Sequence, residues 1–151
     1  MYIDGPWQRK LREKRIVSVV DASVISTFFK YLRTLRWHSQ SLDWTAMPSY
    51  DSFRLTVDNE RTALEWIRRM AIGKRSHVVV TYTQSEPGLM CTIDMFVPNL
   101  GSLFSNTGGK NYLFGLDQHP DGYEYDFRSL LEFDGGEMLT AVKCNSPVAS
   151  N

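Results

Sequence analysis

The segment from Ser76 to Val97 constrains the fold more than any other part of the chain, because it reads as two β-rich stretches around a turn. SHVVVTYTQ lies before the turn and LMCTIDMFV after it, and Pro87 and Gly88 between them favour a tight tip. A tip at these two residues places three apolar pairs opposite each other: Val78 with Val97, Val80 with Met95, and Tyr82 with Ile93. Both apolar sets then share one face, which a one-residue slip would destroy. We therefore predict a hairpin at the centre of a sheet, with Cys91 on its apolar face.

The other face of this hairpin is mixed. Its apolar residues lie towards the base, and its polar residues are His77, Thr81, Thr92 and Asp94. The pattern leaves open whether this face is a binding surface or is covered by another part of the chain.

Two amphipathic helices are predicted before the hairpin. The first begins near Asp21 or Ser23, either of which is a suitable N-cap, and its apolar residues recur at helical spacing: Ile25, Phe28, Phe29, Leu32 and Leu35. The second runs from Asn59 to about Ile72, ends at Gly73, and buries Ala63, Trp66, Ile67 and Met70. The apolar run at residues 16–20 is either a strand or the start of the first helix. A short basic helix is also predicted at residues 6–15.

Alternating apolar and polar residues predict the other strands. These strands are Ser52–Val57, Asn111–Leu116, Glu124–Asp134 and, after an Asp-Gly-Gly turn, Glu137–Cys144. In Glu124–Asp134 the residues expected to point inward are Tyr125, Phe127, Leu131 and Phe133, whereas Glu132 and its charged neighbours point outward. The segments 38–50, 98–109 and 117–122 read as loops, with Trp44 and Met47 packed against the core. Together these elements predict an α+β fold: an antiparallel β-meander of about five strands with two amphipathic helices packed on one face.

Length and composition are those of one globular domain spanning residues 1–151, with 42% hydrophobic and 23% charged residues. No apolar run approaches the roughly 18 residues that span a bilayer, and the N-terminus lacks the apolar stretch of a signal peptide. We therefore expect a cytoplasmic protein without membrane contact, whose two cysteines are reduced thiols. The basic segment 1–15 is expected to be solvated and the tail 145–151 to be mobile.

The net charge of zero hides an asymmetry between the two halves of the chain. Residues 1–75 contain 14 Lys/Arg and 8 Asp/Glu, a balance of +6, and the rest contains 3 Lys/Arg and 9 Asp/Glu, a balance of −6. Such a split marks an interaction surface in some proteins. A simpler interpretation is that the helices carry the basic groups and the strand edges carry the acidic ones.

Motifs of catalysis or cofactor binding are not recognisable. Ser105–Asn111 lacks the first glycine and the Ser/Thr of a phosphate loop, and Asp117–Arg128 places an arginine where a calcium loop needs glutamate. The histidines His38, His77 and His119 are far apart in sequence and have no metal-binding spacing. Clustered carboxylates at a loop–strand junction are too common to indicate a glycosidase pair. We predict no cofactor, no metal and no catalytic residue.

One acidic, aromatic segment remains as a candidate interaction site. It interleaves tyrosines with carboxylates, and we predict that a protein partner contacts Asp117, His119, Asp121, Tyr123, Glu124 and Asp126. Aromatic side chains contribute binding energy at interfaces, and acidic neighbours attract a basic partner. The leading expectation is an immunity or inhibitor protein that neutralises a basic partner such as a bacterial toxin.

Two alternatives stay open. One is nucleic-acid binding through Arg9–Arg15 and the basic helix face of Lys30, Arg33 and Arg36. The other is an enzyme whose site is assembled from residues that are distant in sequence. The sequence also leaves open the identity of the partner, the organism and the oligomeric state.

Overall fold

The structure is a computed structural model that describes residues 1–144, so the predicted mobile tail lies outside the described residues. The strands are β1 (Ser18–Val20), β2 (Trp37–His38), β3 (Ser41–Leu42), β4 (Tyr50–Arg54), β5 (His77–Val80), β6 (Gly88–Thr92), β7 (Lys110–His119), β8 (Gly122–Asp134) and β9 (Met138–Val142). The α-helices are α1 (Pro6–Glu13), α2 (Ala22–Leu32), α3 (Glu60–Arg69), α4 (Ile93–Phe96) and α5 (Leu100–Leu103). Short 3-10 turns lie at Tyr2–Asp4, Trp44–Ala46, Ile72–Lys74 and Val97–Asn99.

The main sheet confirms the predicted α+β class with antiparallel strands. Its order is β1-β6-β5-β7-β8-β9-β4, and every neighbouring pair is antiparallel. It has seven strands rather than about five: six correspond to the predicted strand segments, and residues 18–20 add an edge strand. The remaining strands, β2 and β3, form a separate two-stranded ribbon.

Helices cover both faces of the sheet, so the expectation that both predicted helices pack on one face is wrong. Phe28 of α2 packs with Val79 and Phe114, whereas Ile67 of α3 packs with Val78 on the opposite face. The cause is visible in β5, where Val78, Val79 and Val80 are all buried, so that each face of this central strand needs its own cover. We call these two surfaces of the sheet the α2 face and the α3 face.

The central hairpin has a different register from the predicted one. Val78 pairs with Cys91 and Val80 with Leu89, so the pairing of Val78 with Val97 is wrong. The observed and predicted registers differ by an even number of residues. The side chains of Val78, Val80, Leu89 and Cys91 therefore still share one face, the α3 face, as expected. Residues 81–87 form a loop between the two strands instead of a two-residue tip.

The second arm of the hairpin ends at Thr92 because the chain continues as helix. The buried residues after it recur at helical spacing on the α3 face: Ile93, Phe96, Val97, Leu100, Leu103 and Phe104. This stripe runs through α4, the 3-10 turn Val97–Asn99 and α5, so the predicted strand through Val97 is wrong, and the predicted loop at 98–109 begins only after Leu103. Alternating Ile93, Met95 and Val97 satisfied the strand pattern equally well over a short window.

Strand β8 contains a bulge that changes which residues point inward. Phe114 pairs with Leu130, but the next residue, Gly115, pairs with Asp126, so residues 127–129 have no partner on β7. As a result, Phe127 packs on the α2 face and Leu131 on the α3 face, although uninterrupted alternation would place them together.

Glu132 also lies in the interior, because both faces of the sheet are covered where residues 129–133 cross it. Only 5% of Glu132 is exposed, so its predicted outward orientation is wrong.

Several smaller expectations are also decided. Residues 18–20 are a strand, and α1 packs on the α3 face through Leu11, so the N-terminal segment is anchored rather than solvated.

Trp44 and Met47 pack against the α2-face core as predicted. Val57 is 92% exposed and lies beyond β4, so it is not part of the predicted half-buried strand. Within residues 1–144 no helix is long and apolar enough to cross a membrane.

The mixed face of the central hairpin is covered rather than open. Val79 and Met90 on this face pack with the α2 cluster, and Thr81 is buried with its hydroxyl donating to the Tyr112 carbonyl. Asp94 has left the strand and lies on α4, where it forms an ion pair with Arg68. These polar residues therefore do not form one surface.

Candidate partner-binding hairpin

The β7–β8 hairpin extends beyond the strands on either side of it. β5 pairs with β7 only as far as Leu116, and β9 pairs with β8 only from Leu131 onwards. Residues 117–126 therefore form a two-stranded ribbon, and residues 118–125 are all exposed. Pro120 and Asp121 form its turn, and Gly122 follows with a φ of 144°, which favours glycine. The predicted loop at 117–122 is thus the tip of a regular hairpin.

The ribbon separates the six predicted site residues into two groups. Side chains alternate between the two faces of a strand. One face carries Asp117, which pairs with Glu124, together with His119 and Asp126; the other carries Tyr123, and Asp121 lies in the turn. We call the first the acidic face and the second the aromatic face.

Arg75 neutralises much of the acidic face. Its Nη1 lies 2.8 Å from Asp117 Oδ2 and its Nε lies 3.2 Å from Asp126 Oδ2. The hydrogen bond with Asp117 is the main cause of the raised pKa of Arg75. Sequence reasoning missed this residue, because Arg75 lies 42 residues before Asp117 and follows a helix rather than the acidic segment.

Other contacts complete the pairing on the acidic face. Asp117 Oδ1 accepts a hydrogen bond from the Ser76 amide at 3.0 Å, and Asp126 Oδ2 accepts one from the Ser129 hydroxyl at 2.7 Å. His119 Nε2 lies 2.9 Å from Glu124 Oε1. Among residues 1–144, Asp121 is the one carboxylate of the predicted site that contacts no arginine or histidine side chain. The acidic residues therefore mainly hold the ribbon in place.

The aromatic face continues from the tip of the ribbon into the core. Tyr123 and Tyr125 are 46% and 38% exposed, and their ring centroids are 6.5 Å apart. Tyr125 contacts the buried Phe114 at 6.2 Å, and Phe127 contacts Phe28 of α2 at 5.5 Å. Burial is the main cause of the raised pKa of Tyr125. The alternating pattern predicts that Tyr125 points into the core, but the residue is exposed and joins the candidate surface.

Ser76, His77 and Asp117 lie together but are not arranged as a catalytic triad. The Ser76 hydroxyl contacts His77 Nδ1 at 2.8 Å and the Leu116 carbonyl at 3.0 Å, and it accepts a hydrogen bond from the Gln118 amide. Asp117 binds Arg75 and the Ser76 amide instead of orienting the imidazole. Burial lowers the pKa of His77. The serine hydroxyl thus connects β5 to β7.

Metal-binding clusters are absent from the described part of the chain: no three His, Cys, Asp or Glu side chains are placed to hold an ion. A cavity of about 490 Å³ lies away from the hairpin. That cavity has mostly apolar walls that include Leu55, Val97, Leu100, Phe104 and Phe133.

The basic groups of the first half do not form one continuous surface. α1 packs on the α3 face and α2 on the opposite one. On α1, Arg12 pairs with Asp4 at 3.0 Å and Lys10 lies 4.8 Å from the centre of the Trp7 ring. Compared with known proteins, this chain matches no family model, no curated protein and no solved structure.

Proposed function

We propose that this chain is a protein-binding domain that contacts its partner through the β7–β8 ribbon, with Tyr123 and Tyr125 as anchors. The observation that carries the proposal is the exposure of two adjacent tyrosines on a ribbon that projects beyond its neighbouring strands. Tyrosine adds contact area with little loss of side-chain entropy, and it is enriched among the residues that dominate interfaces. Contacts from Tyr125 and Phe127 to core aromatics hold the ribbon in one orientation before binding.

The partner we propose is a basic protein, and the domain would act on it as an inhibitor of the immunity type. A bacterial toxin that degrades nucleic acid is such a partner, because its active site attracts a polyanion. Asp121 at the turn and Glu124 on the exposed ribbon would approach that site first. Since Arg75 already pairs with Asp117 and Asp126, we assign the steering role to Asp121 and Glu124 alone.

An affinity capture from the native host tests the aromatic anchors. The bait is the whole chain, either unchanged or carrying Tyr123→Ala and Tyr125→Ala. We expect the double variant to lose the captured protein, because removing an interface anchor typically costs 2 kcal/mol or more, about thirtyfold in affinity. Trp7→Ala is the matched control, since Trp7 is a 52% exposed aromatic on α1. Equal capture by all three baits contradicts the proposal.

Association kinetics with the captured protein test the charge assignment separately. Asp121→Asn with Glu124→Gln should slow association at low salt and change dissociation little, because exposed charges act mainly on the rate of encounter. The difference should vanish at high salt. An association rate that is unchanged at low salt removes the basic-partner assignment while leaving the tyrosine anchors untouched.

A further inference from the structure

Strand β4 is an open edge of the main sheet. It pairs with β9 on one side and with no strand of the described chain on the other. The opposite edge, β1, has three residues between α1 and α2, whereas β4 has five residues, Tyr50–Arg54, and contains neither proline nor a bulge. An edge without these protecting features is a template for pairing with another strand.

The hydrogen bonds to β9 show which backbone groups of β4 point outward. The Leu55 amide donates to the Glu137 carbonyl, and the Lys143 amide donates to the Ser49 carbonyl. The backbone N–H and C=O groups of the odd-numbered residues therefore point towards β9. Because hydrogen-bonded and non-hydrogen-bonded pairs alternate in antiparallel strands, Tyr50, Ser52 and Arg54 direct their backbone groups to the open edge. The Arg54 carbonyl accepts one bond from the Asn59 side chain at 3.0 Å and has a second lone pair free.

We propose that β4 pairs with β4 of a second copy of this chain, antiparallel and about a two-fold axis through Ser52. A hydrogen-bonded pair between the two copies needs a residue in each strand whose backbone groups point to the open edge. This register pairs only such residues: Ser52 lies opposite Ser52, and Tyr50 lies opposite Arg54 of the second copy. Each such pair exchanges both backbone hydrogen bonds. The result is one continuous sheet through two copies, with an isologous interface.

The side chains favour this register over its neighbours. It sets the 41% exposed ring of Tyr50 beside the guanidinium of Arg54, which also pairs with Glu137 of its own chain, in a cation–π arrangement that the two-fold axis repeats. A register centred on Asp51 instead brings two carboxylates together across a close, non-hydrogen-bonded pair. A register centred on Phe53 leaves Tyr50 without a partner. The Ser52-centred pairing is therefore the self-complementary one.

A second copy also suits the charge of the molecule. The net charge is zero, so two copies approach without long-range repulsion. Asp51 is held on the α3 face by a hydrogen bond from Trp66 Nε1 at 2.9 Å, and Phe53 packs on the same indole at 5.6 Å between ring centres. These contacts fix the side chains of β4 on the α3 face, and every residue of the strand except the partly buried Phe53 is exposed.

Sedimentation or light scattering of the whole chain, from low micromolar to near-millimolar concentration, tests the proposal. We expect the average mass to rise from that of one chain towards twice that value. Ser52→Pro should abolish the rise, because proline removes an outward N–H and leaves the ladder to β9 intact. Ser52→Ala is the matched control: it loses the same hydroxyl contact with Thr140 but keeps the N–H, so the rise should remain.

Hydrogen exchange on the unchanged protein identifies the surface independently of any variant. The amides of Tyr50 and Ser52 should exchange about tenfold more slowly at high than at low protein concentration, and those of β1 should not change. A mass that stays at one chain at every concentration overturns the proposal. A dimer that persists in Ser52→Pro and leaves the Ser52 amide unprotected overturns it equally.

Discussion

Glu132 places a carboxylate inside the protein, where its contacts are made by aromatic residues. Its Oε1 accepts a hydrogen bond from Trp44 Nε1 at 3.2 Å, and across the sheet it pairs with Tyr112. Burial and, after it, the negative charge of Glu132 raise the pKa of Tyr112. A buried indole N–H without an acceptor is costly. Glu132 therefore fastens the 3-10 turn that contains Trp44 to the α2 face.

Substituting Glu132 tests this contact by equilibrium unfolding in urea, followed by tryptophan fluorescence. Glu132→Leu should lower the free energy of unfolding by about 1–3 kcal/mol, because it leaves the Trp44 N–H unpaired. Glu132→Gln keeps an acceptor and should lose less. If the leucine variant is as stable as the glutamine variant, the hydrogen bond does not stabilise the fold.

The two cysteines should differ sharply in reactivity. Cys91 is 2% exposed on the α3 face, and burial raises its pKa to about 12, so almost no thiolate forms near neutral pH. Cys144 is half-buried. We expect a thiol reagent to label one cysteine in the native protein and both in denaturant. Native Cys144→Ser should remain unlabelled over the same time, and rapid labelling of that variant would show that Cys91 is accessible.

At the scale of elements, Gly73 allows the chain to turn tightly from α3 into β5. A Cβ at this position would overlap the Ile67 carbonyl and lie 2.6 Å from the Arg68 Cα. Both atoms belong to the backbone, so a side chain cannot move aside. The second helix is predicted to run to about Ile72, but α3 ends at Arg69, before the 3-10 turn that contains Gly73. Gly73 therefore does not end the helix as predicted; it lets this turn pack closely against the backbone of α3.

Gly73→Ala should therefore destabilise the protein by roughly 1–3 kcal/mol, as overpacked substitutions do. Gly101→Ala is the matched control, because a Cβ there meets nothing within 4 Å and alanine suits the helix α5. We expect its free energy of unfolding to be equal to or above that of the unchanged protein. Equal losses at both positions in thermal or urea unfolding would contradict the steric argument.

Patterns within one element were sufficient to predict the long helices and the face of the central hairpin. Phe28 and Trp66 lie on the predicted stripes of α2 and α3, because each stripe spans several turns. Val78 and Cys91 share a face in both the predicted and the observed register of the hairpin. Side chains alternate between the two faces, so a shift of the register by an even number of residues leaves each side chain on the same face. Short windows were less informative, as residues 93–97 fitted strand and helix alike.

Features that depend on contacts between elements could not be predicted in this way. The bulge at residues 127–129 changes which face of the sheet Glu132 occupies, and cover on both faces buries it, but nothing in the alternating sequence marks either feature. The same limit applies to the candidate site. Its position in the chain was predictable from interleaved tyrosines and carboxylates, whereas its neutralisation by Arg75 depends on the pairing of β5 with β7.

At the scale of the whole molecule, the charge asymmetry between the halves of the chain is largely used within the fold. Arginines of the first half pair with carboxylates of the second: Arg54 with Glu137, Arg68 with Asp94, and Arg75 with Asp117 and Asp126. Each exposed pair contributes little, about 0.2–1 kcal/mol. Together they connect β4, α3 and the segment after α3 to elements of the second half. The split of charge therefore reflects packing between the halves as well as any interaction surface.

Stability at alkaline pH tests the core of the whole molecule, because several buried groups have raised pKa values. Burial raises the pKa of Cys91 from 9.0 to about 12 and also raises those of Tyr82 and Tyr112 above 10.0. A raised pKa means that above pH 9 the unfolded chain binds fewer protons than the folded one, so stability must fall as pH rises. The contribution of these protonated groups to the free energy of unfolding is complete below pH 9 and is lost as pH rises towards 12.

Each group steepens the fall by up to about 1.4 kcal/mol per pH unit once the unfolded form has ionised. Urea unfolding at a series of pH values from neutral to strongly alkaline measures this slope. Cys91→Ala should lower stability at neutral pH and make the fall above pH 9 shallower, because it removes one of the three groups whose pKa is raised by burial. A flat profile up to pH 11 would show that these side chains remain hydrated in the folded protein.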